Sequence, residues 1–258
     1  MQYGLCNLSI IPLRVEPSDA SEMVNQVLFG ECFKVLERRK KWSKIRLHHD
    51  KYEGWLDNKQ IQFVEESFYR DLAEENTPIC AELIEIISHP RTGAFFPVLM
   101  GSFLPFIKEG IIKIGKESYE FQGPVINSKS SREKLIDYAY QYINAPYLWG
   151  GRTPMGIDCS GFTQMVYRLS GYSLPRDAYQ QAVLGETLSF IEESEPGDLA
   201  FFDNEEGKIV HVGIILSDNY IIHASGKVRL DRLDQTGIFN AEENGHTHKL
   251  RVIKKIIP

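Results

Sequence analysis

Residues 156–167 read GIDCSGFTQMVY, and the cysteine at 159 stands between an aspartate and a serine where a helix is due to begin. From Phe162 onward the apolar residues Phe162, Met165, Val166 and Leu169 recur at helical spacing. Asp158 is a good N-cap, and Gly171 suits the stop after the last turn. Cys159 therefore opens a helix. There the unpaired N–H groups and the positive end of the dipole favour a thiolate, which lowers the thiol pKa and makes the sulfur a nucleophile near neutral pH. A free cysteine is more commonly a small buried hydrophobe, so the rest of the chain has to carry the chemical reading.

The chain has 258 residues, 43% of them hydrophobic and 25% charged, which suits a globular protein with a proper core and room for two or three small domains. A formal net charge of -6, with no basic cluster longer than the RRKK at 38–41, argues against a nucleic-acid surface. Cys6, Cys32, Cys80 and Cys159 are scattered, and none pairs in a C-x-x-C pattern, so a reducing compartment fits best. His48-His49 and His246-x-His248 lack Cys or carboxylate partners at zinc spacing, so no metal is expected. No run of about 20 apolar residues occurs, so no membrane span is expected. The start, MQYGLCNLSIIPLR, does not read as a signal peptide. A cytoplasmic protein is expected if Met1 is the native start, and a periplasmic or cell-envelope one if a leader was removed. A monomer is expected.

Up to about residue 64 the pattern is of short β-like runs, CFKVLER, WSKIRLH and GWL, joined by charged or glycine-containing turns. EESFYRDLAEENTP, at 65–78, is polar, acidic and closed by proline, which suits a connector. A second β-rich stretch runs through ELIEIIS, FFPVLMGSFLPFI, GIIKIG and SYEFQG. The composition then changes. SREKLIDYAYQYINAPY reads as a capped helix that places Leu135, Ala139, Tyr142 and Ile143 on one face and stops before Pro146. GDLAFF, KIVHVGIIL and NYIIHAS read as successive strands. Helices first and strands afterwards predict an α+β domain in which an antiparallel sheet packs against the helix that bears the cysteine.

Alternation along IVHVGII sets His211 on the face of Ile209 and Gly213. His223 follows twelve residues later in YIIHASG, so a hairpin of ordinary size lays the two strands side by side and can align the imidazoles. A thiol at a helix start, a histidine on a facing strand and a polar residue orienting that histidine are what a cysteine nucleophile needs. Taken singly, either histidine is more often a satisfied core residue.

DCSGFTQMVYRLSGYSLPRDAYQQ, PGDLAFF, HVGII and IIHASG occur in order and resemble the NlpC/P60 family of papain-like cysteine peptidases, which hydrolyse bacterial cell-wall peptides. The resemblance covers roughly residues 128–255. It implies Cys159 as nucleophile, His211 as base and His223 as the residue that orients it. It also implies that Tyr147 in PYLWGG helps the oxyanion site, with simple packing as the alternative. Asp158, Ser160, Arg176 and Asp177 lie in motifs that flank the cleft of this family, as candidates to bind the substrate's charged groups. For Arg176 and Asp177 the alternative is a mutual surface ion pair. No cofactor is implied.

The preceding β-rich stretches resemble bacterial SH3-type domains, best in WSKIRLHHDKYEGWLD. The expected organisation is an SH3-like β-barrel at 1–64, a connector and second barrel at 65–127, and the peptidase domain at 128–258. Two such barrels before an NlpC/P60 domain resemble its dipeptidyl-peptidase branch, which cuts the γ-D-Glu to L-diamino acid bond of murein peptides and releases L-Ala-γ-D-Glu. Glu53, in KYEGWL, is then the candidate to face the free ammonium of L-Ala, although a glutamate in a charged hairpin is more often a solvated surface residue. An amidase or acyltransferase on the same fold, or a noncatalytic wall-binding protein, is the alternative. The choice between L-Lys and meso-diaminopimelate stays open.

Overall fold

The first 64 residues form seven strands: β1 (Gln2–Leu5), β2 (Ile10–Arg14), β3 (Met23–Leu28), β4 (Cys32–Arg38), β5 (Trp42–Leu47), β6 (Glu53–Asp57) and β7 (Gln62–Val64). They pair antiparallel in the order β3-β2-β6-β5-β4-β1-β7. Period-2 alternation sends Ile11 and Leu13 inward from β2, Phe33 and Val35 from β4, and Ile45 and Leu47 from β5, into one apolar cluster. The computed structural model describes residues 2–257, and the chain divides into two compact units, 1–128 and 129–258.

The acidic stretch expected to be a connector contains a helix, α1 (Glu66–Glu74). Tyr69 and Leu72, three residues apart and so on one face, are both buried. Tyr69 stacks on Tyr3 of β1 with ring centroids 4.5 Å apart. Beyond α1 come β8 (Ile79–Cys80), β9 (Ile84–Ser88), β10 (Phe95–Leu99), β11 (Ile111–Ile114), β12 (Glu117–Glu120) and β13 (Val125–Ile126). Four of them make a sheet in the order β10-β9-β12-β11, while β8 pairs with β13. Ile87, Val98, Ile112 and Tyr119 of this sheet share one apolar cluster with Tyr3, Phe29 and Tyr69. The sequence boundary at 64 thus lies inside a single unit.

The second unit begins with α2 (Arg132–Gln141), where the Ser131 hydroxyl accepts from the Lys134 N–H and Leu135, Tyr138 and Ala139 are buried. A two-strand hairpin, β14 (Arg152–Thr153) and β15 (Gly156–Ile157), leads directly into α3 (Cys159–Leu169). Every residue of α3 except Arg168 is buried, and Gly171 beyond its end has φ +78°, as the stop signal requires. A short α4 (Ala178–Gln181) follows.

The sheet of this unit is built from β16 (Glu186–Leu188), β17 (Leu199–Asp203), β18 (Ile209–Ile215), β19 (Tyr220–Ser225), β20 (Lys227–Leu233), β21 (Gly237–Asn240) and β22 (Gly245–Lys255). All its pairs are antiparallel. Strand β22 is long enough to pair with β21 through its first half and with β17 through its second; Lys249 faces both Gly237 and Asp203. The sheet therefore closes on itself. Helix α3 lies against β18 and β19, which sets the cysteine end of the helix at the histidine-bearing strands. Among the described residues no helix is long and apolar enough to cross a membrane.

Candidate active site

Asp158 caps α3 as the sequence predicts: its Oδ1 accepts from the Gly161 N–H at 2.7 Å. Oδ2 also accepts from the Gly150 N–H at 2.8 Å. Arg176 closes on the same carboxylate as a fork, Nη1 to Oδ1 at 2.9 Å and Nη2 to Oδ2 at 2.5 Å. Nη1 donates to the Ser160 hydroxyl as well, at 3.0 Å. Arg176 is 1% exposed, so its guanidinium is buried rather than at the surface, and it pairs with the Asp158 carboxylate. Asp177 instead opens α4, with its N–H donating to the Gln180 side chain at 3.1 Å.

Cys159 is buried at the helix start, and the electrostatics there differ from the sequence expectation. Burial pushes the thiol up to about 12, and the Asp158 charge adds to this; backbone hydrogen bonding at Val212 and Ser160 and the Arg176 charge pull the other way without offsetting it. The Val212 interaction places the sulfur one residue from His211 along β18. His211 is itself held well below its usual value by burial, then by His223 and His248. The resting pair is therefore a neutral thiol and a neutral imidazole.

Register explains how the histidines meet. Gly213 faces His223 across β18 and β19, so His211, two residues away on the same face, lies diagonal to His223. Their rings bond directly, Nε2 of His211 to Nδ1 of His223 at 2.8 Å. A Cβ on Gly213 would come within 2.9 Å of the His223 Cβ, so only glycine leaves the His223 imidazole where it is. On the far side, His223 Nε2 lies 3.0 Å from Asp231 Oδ2 in β20. His248, from β22, packs against both rings.

Tyr147 is half-buried and bridged to Ile157 just before α3, and its N–H donates to the Gly226 carbonyl at 2.9 Å. Its hydroxyl is pushed up to about 12 by burial and then by the charges of Cys159 and Asp158. A phenol that stays protonated is a usable hydrogen-bond donor to an oxyanion. Glu53 belongs to the first unit. At the start of β6 its carboxylate pairs with Arg46 at 2.6 Å and Lys44 at 3.1 Å, both from β5, and these cations hold it below its usual value. A ligand ammonium at Glu53 would compete with both.

The pattern of the NlpC/P60 family matches residues 144–243, and that of the bacterial dipeptidyl-peptidase Sh3 domain matches residues 13–61. The γ-D-glutamyl-L-lysine dipeptidyl-peptidase of Bacillus subtilis is 30% identical over 247 residues, covering 86% of this chain and 75% of that protein. The chain belongs to the NlpC/P60 family. Dipeptidyl-peptidase 6 of Lysinibacillus sphaericus is 26% identical over 249 residues, 86% of this chain and 89% of that one. The crystal structure of an NlpC/P60 family protein from Bacillus cereus covers 99% of this chain and 100% of its own at a TM-score of 0.83; with 19% identity this speaks to the fold.

As an NlpC/P60 cysteine peptidase the chain brings the sequence-derived Cys159, His211, His223 and Tyr147 into one unit, with Asp158, Ser160 and Arg176 bonded to one another at the start of α3. Two members of the cluster were not read from the sequence. Asp231 sits in KVRLDRL, where it passes for one charge in a solvated strand; the signal lay in the hairpin, since strands turning at Gly226 put residue 231 diagonal to 223. His248 lies beyond the end of the family match and reaches the site only through the closure of the sheet by β22.

Proposed function

We propose that this NlpC/P60 peptidase is a dipeptidyl-peptidase that hydrolyses the γ-D-Glu to L-diamino acid bond of murein peptides with a free N-terminal L-Ala, releasing L-Ala-γ-D-Glu. The observation that carries this reading is similarity to γ-D-glutamyl-L-lysine dipeptidyl-peptidases along most of the chain, SH3-like and catalytic parts alike, and the hydrogen-bonded His211–His223 pair supports it.

The chemistry follows from the neutral resting pair. His211 takes the thiol proton as the sulfur attacks the γ-carbonyl, so charge appears only with substrate in place. The Tyr147 hydroxyl and the Cys159 N–H are the donors to the oxyanion. Collapse of the tetrahedral intermediate breaks the amide bond, and the imidazolium gives its proton to the leaving amine. Water, deprotonated by the same imidazole, then frees L-Ala-γ-D-Glu from the sulfur. Asp158 and Arg176 fix the helix start and aim Ser160 between them.

Mass spectrometry of products from L-Ala-γ-D-Glu-L-Lys, its meso-diaminopimelate counterpart and intact murein tests the reading. L-Ala-γ-D-Glu plus the free diamino acid is expected from at least one peptide. Release of L-Ala alone would mean cleavage one bond earlier and an aminopeptidase, and cleavage confined to the sugar-linked amide of murein would point to an amidase.

A further inference from the structure

His223 is 1% exposed and Asp231 6% exposed, so neither can turn to water for a missing partner. The Asp231 carboxylate is held by Arg229, with Nη2 donating to Oδ1 at 3.1 Å and Nε 2.8 Å from Oδ2. Arg229 in turn is fixed by Glu242 at 3.0 Å and Asn240 at 3.2 Å. Burial alone would raise the Asp231 pKa, but hydrogen bonds from His223 and Arg229 outweigh it and the group lies below its usual value. Asp231 is therefore ionised at neutral pH, and an ionised carboxylate only accepts hydrogen bonds.

We propose that Asp231 is a positioning residue that decides, through two imidazole rings, which nitrogen of His211 carries the proton. The carboxylate requires a proton on His223 Nε2. With a single proton on His223, its Nδ1 is bare and must accept. The 2.8 Å bond to His211 is then donated by His211 Nε2, which leaves His211 Nδ1 bare. Among the described residues no hydrogen bond engages that nitrogen, and it is the lone pair that takes the thiol proton. When it does, the imidazolium keeps its Nε2–H bond to His223, and Asp231, one ring further away, balances the new charge. Without an anion at 231 both rings could reverse together, placing a proton on His211 Nδ1 and removing the base.

This inference rests on His211 being the base, not on which peptide is cut. The first arm of the test needs no substrate: nitrogen-15 NMR of the imidazoles in the full chain. Wild type is expected to show His211 protonated at Nε2, and Asp231→Asn, whose amide can donate to His223 Nε2, is expected to show it at Nδ1. The second arm is kinetic. Asp231→Asn is expected to lower kcat by roughly 100-fold or more with KM within a few-fold, as loss of the correct tautomer does in a serine-peptidase triad. Asp231→Glu, which keeps the anion, is expected to recover part of the loss. Circular dichroism and urea unfolding of each variant separate these effects from misfolding. A wild-type His211 protonated at Nδ1, or an Asp231→Asn variant that folds and keeps kcat within about threefold, overturns the assignment.

Discussion

His248 lies nearly flat against His211, with ring centroids 4.1 Å apart and planes 28° apart. His223 meets His211 edge-on at 85°, so one neighbour bonds the His211 ring in its plane and the other covers its face. The Thr247 hydroxyl lies 2.8 Å from His248 Nδ1 and fixes the covering ring. An imidazole clamped in both directions is held in one orientation.

His248→Ala should therefore lower kcat roughly 10-fold or more while changing KM little, because misplacing a catalytic group is costly even when nothing touching substrate is lost. His248→Phe keeps a flat face and should recover most of the rate. Steady-state kinetics on the tripeptide decides: a phenylalanine variant no better than alanine would mean that the imidazole of His248 acts through its nitrogens rather than its face.

The neutral resting pair sets the pH behaviour. A thiol raised to about 12 gains thiolate tenfold for each pH unit below that value, so iodoacetamide labelling of Cys159 should climb from pH 6 through pH 9 without levelling. His211, held well below 6.5, stays neutral as pH falls past that value, so the acid limb of kcat/KM should lie below pH 6.5. Peptide-resolved mass spectrometry and a pH-rate profile read the two. A labelling plateau below pH 8, or an acid limb at or above pH 6.5, would instead mean a preformed thiolate and imidazolium.

Arg176→Ala leaves the Asp158 carboxylate buried without its fork, and loss of one partner of such a pair costs about 3–5 kcal/mol. Arg176→Lys keeps the charge but not the two parallel bonds, and should lie between. Urea unfolding midpoints measure both. A change near zero in the alanine variant would mean that the two amides on Asp158 suffice and that the guanidinium is available for substrate.

Glu53→Gln should leave Arg46 and Lys44 facing each other and loosen the first barrel slightly, as exposed ion pairs do. Because the carboxylate is already shared by two cations, cleavage of a free-amine tripeptide and of its N-acetylated analogue should change by the same small factor. A loss confined to the free-amine substrate would establish Glu53 as the reader of the L-Ala ammonium.

Where structure follows local chemistry, the sequence was sufficient. Asp158, the spacing of Phe162, Met165 and Val166, and Gly171 bound α3 because capping, periodicity and a left-handed stop are all properties of neighbours. The separation of twelve between His211 and His223 suffices for a hairpin, so their meeting was legible too. What was hidden depends on partners distant in sequence. Helix α1 looked like a connector because only Tyr69 and Leu72 turn inward, and the ring that receives Tyr69 is at residue 3. Arg176 lies beside Asp177 in sequence, yet its fork closes on a carboxylate eighteen residues earlier. Asp231 and His248 join the site through strand register, which no single run of residues states. Proximity to a helix dipole favours a lowered thiol pKa, whereas the depth of burial, a property of the whole unit, pushes it up.

Intact-protein mass spectrometry of enzyme quenched in acid during turnover of L-Ala-γ-D-Glu-L-Lys tests the nucleophile and the cleavage site together. An adduct equal to L-Ala-γ-D-Glu less one water, located on the peptide that contains Cys159 and missing from folded Cys159→Ala, is the predicted result. Undiminished hydrolysis by Cys159→Ala, or an acyl group of different composition on Cys159, would contradict the assignment of a γ-D-glutamyl thioester at this residue.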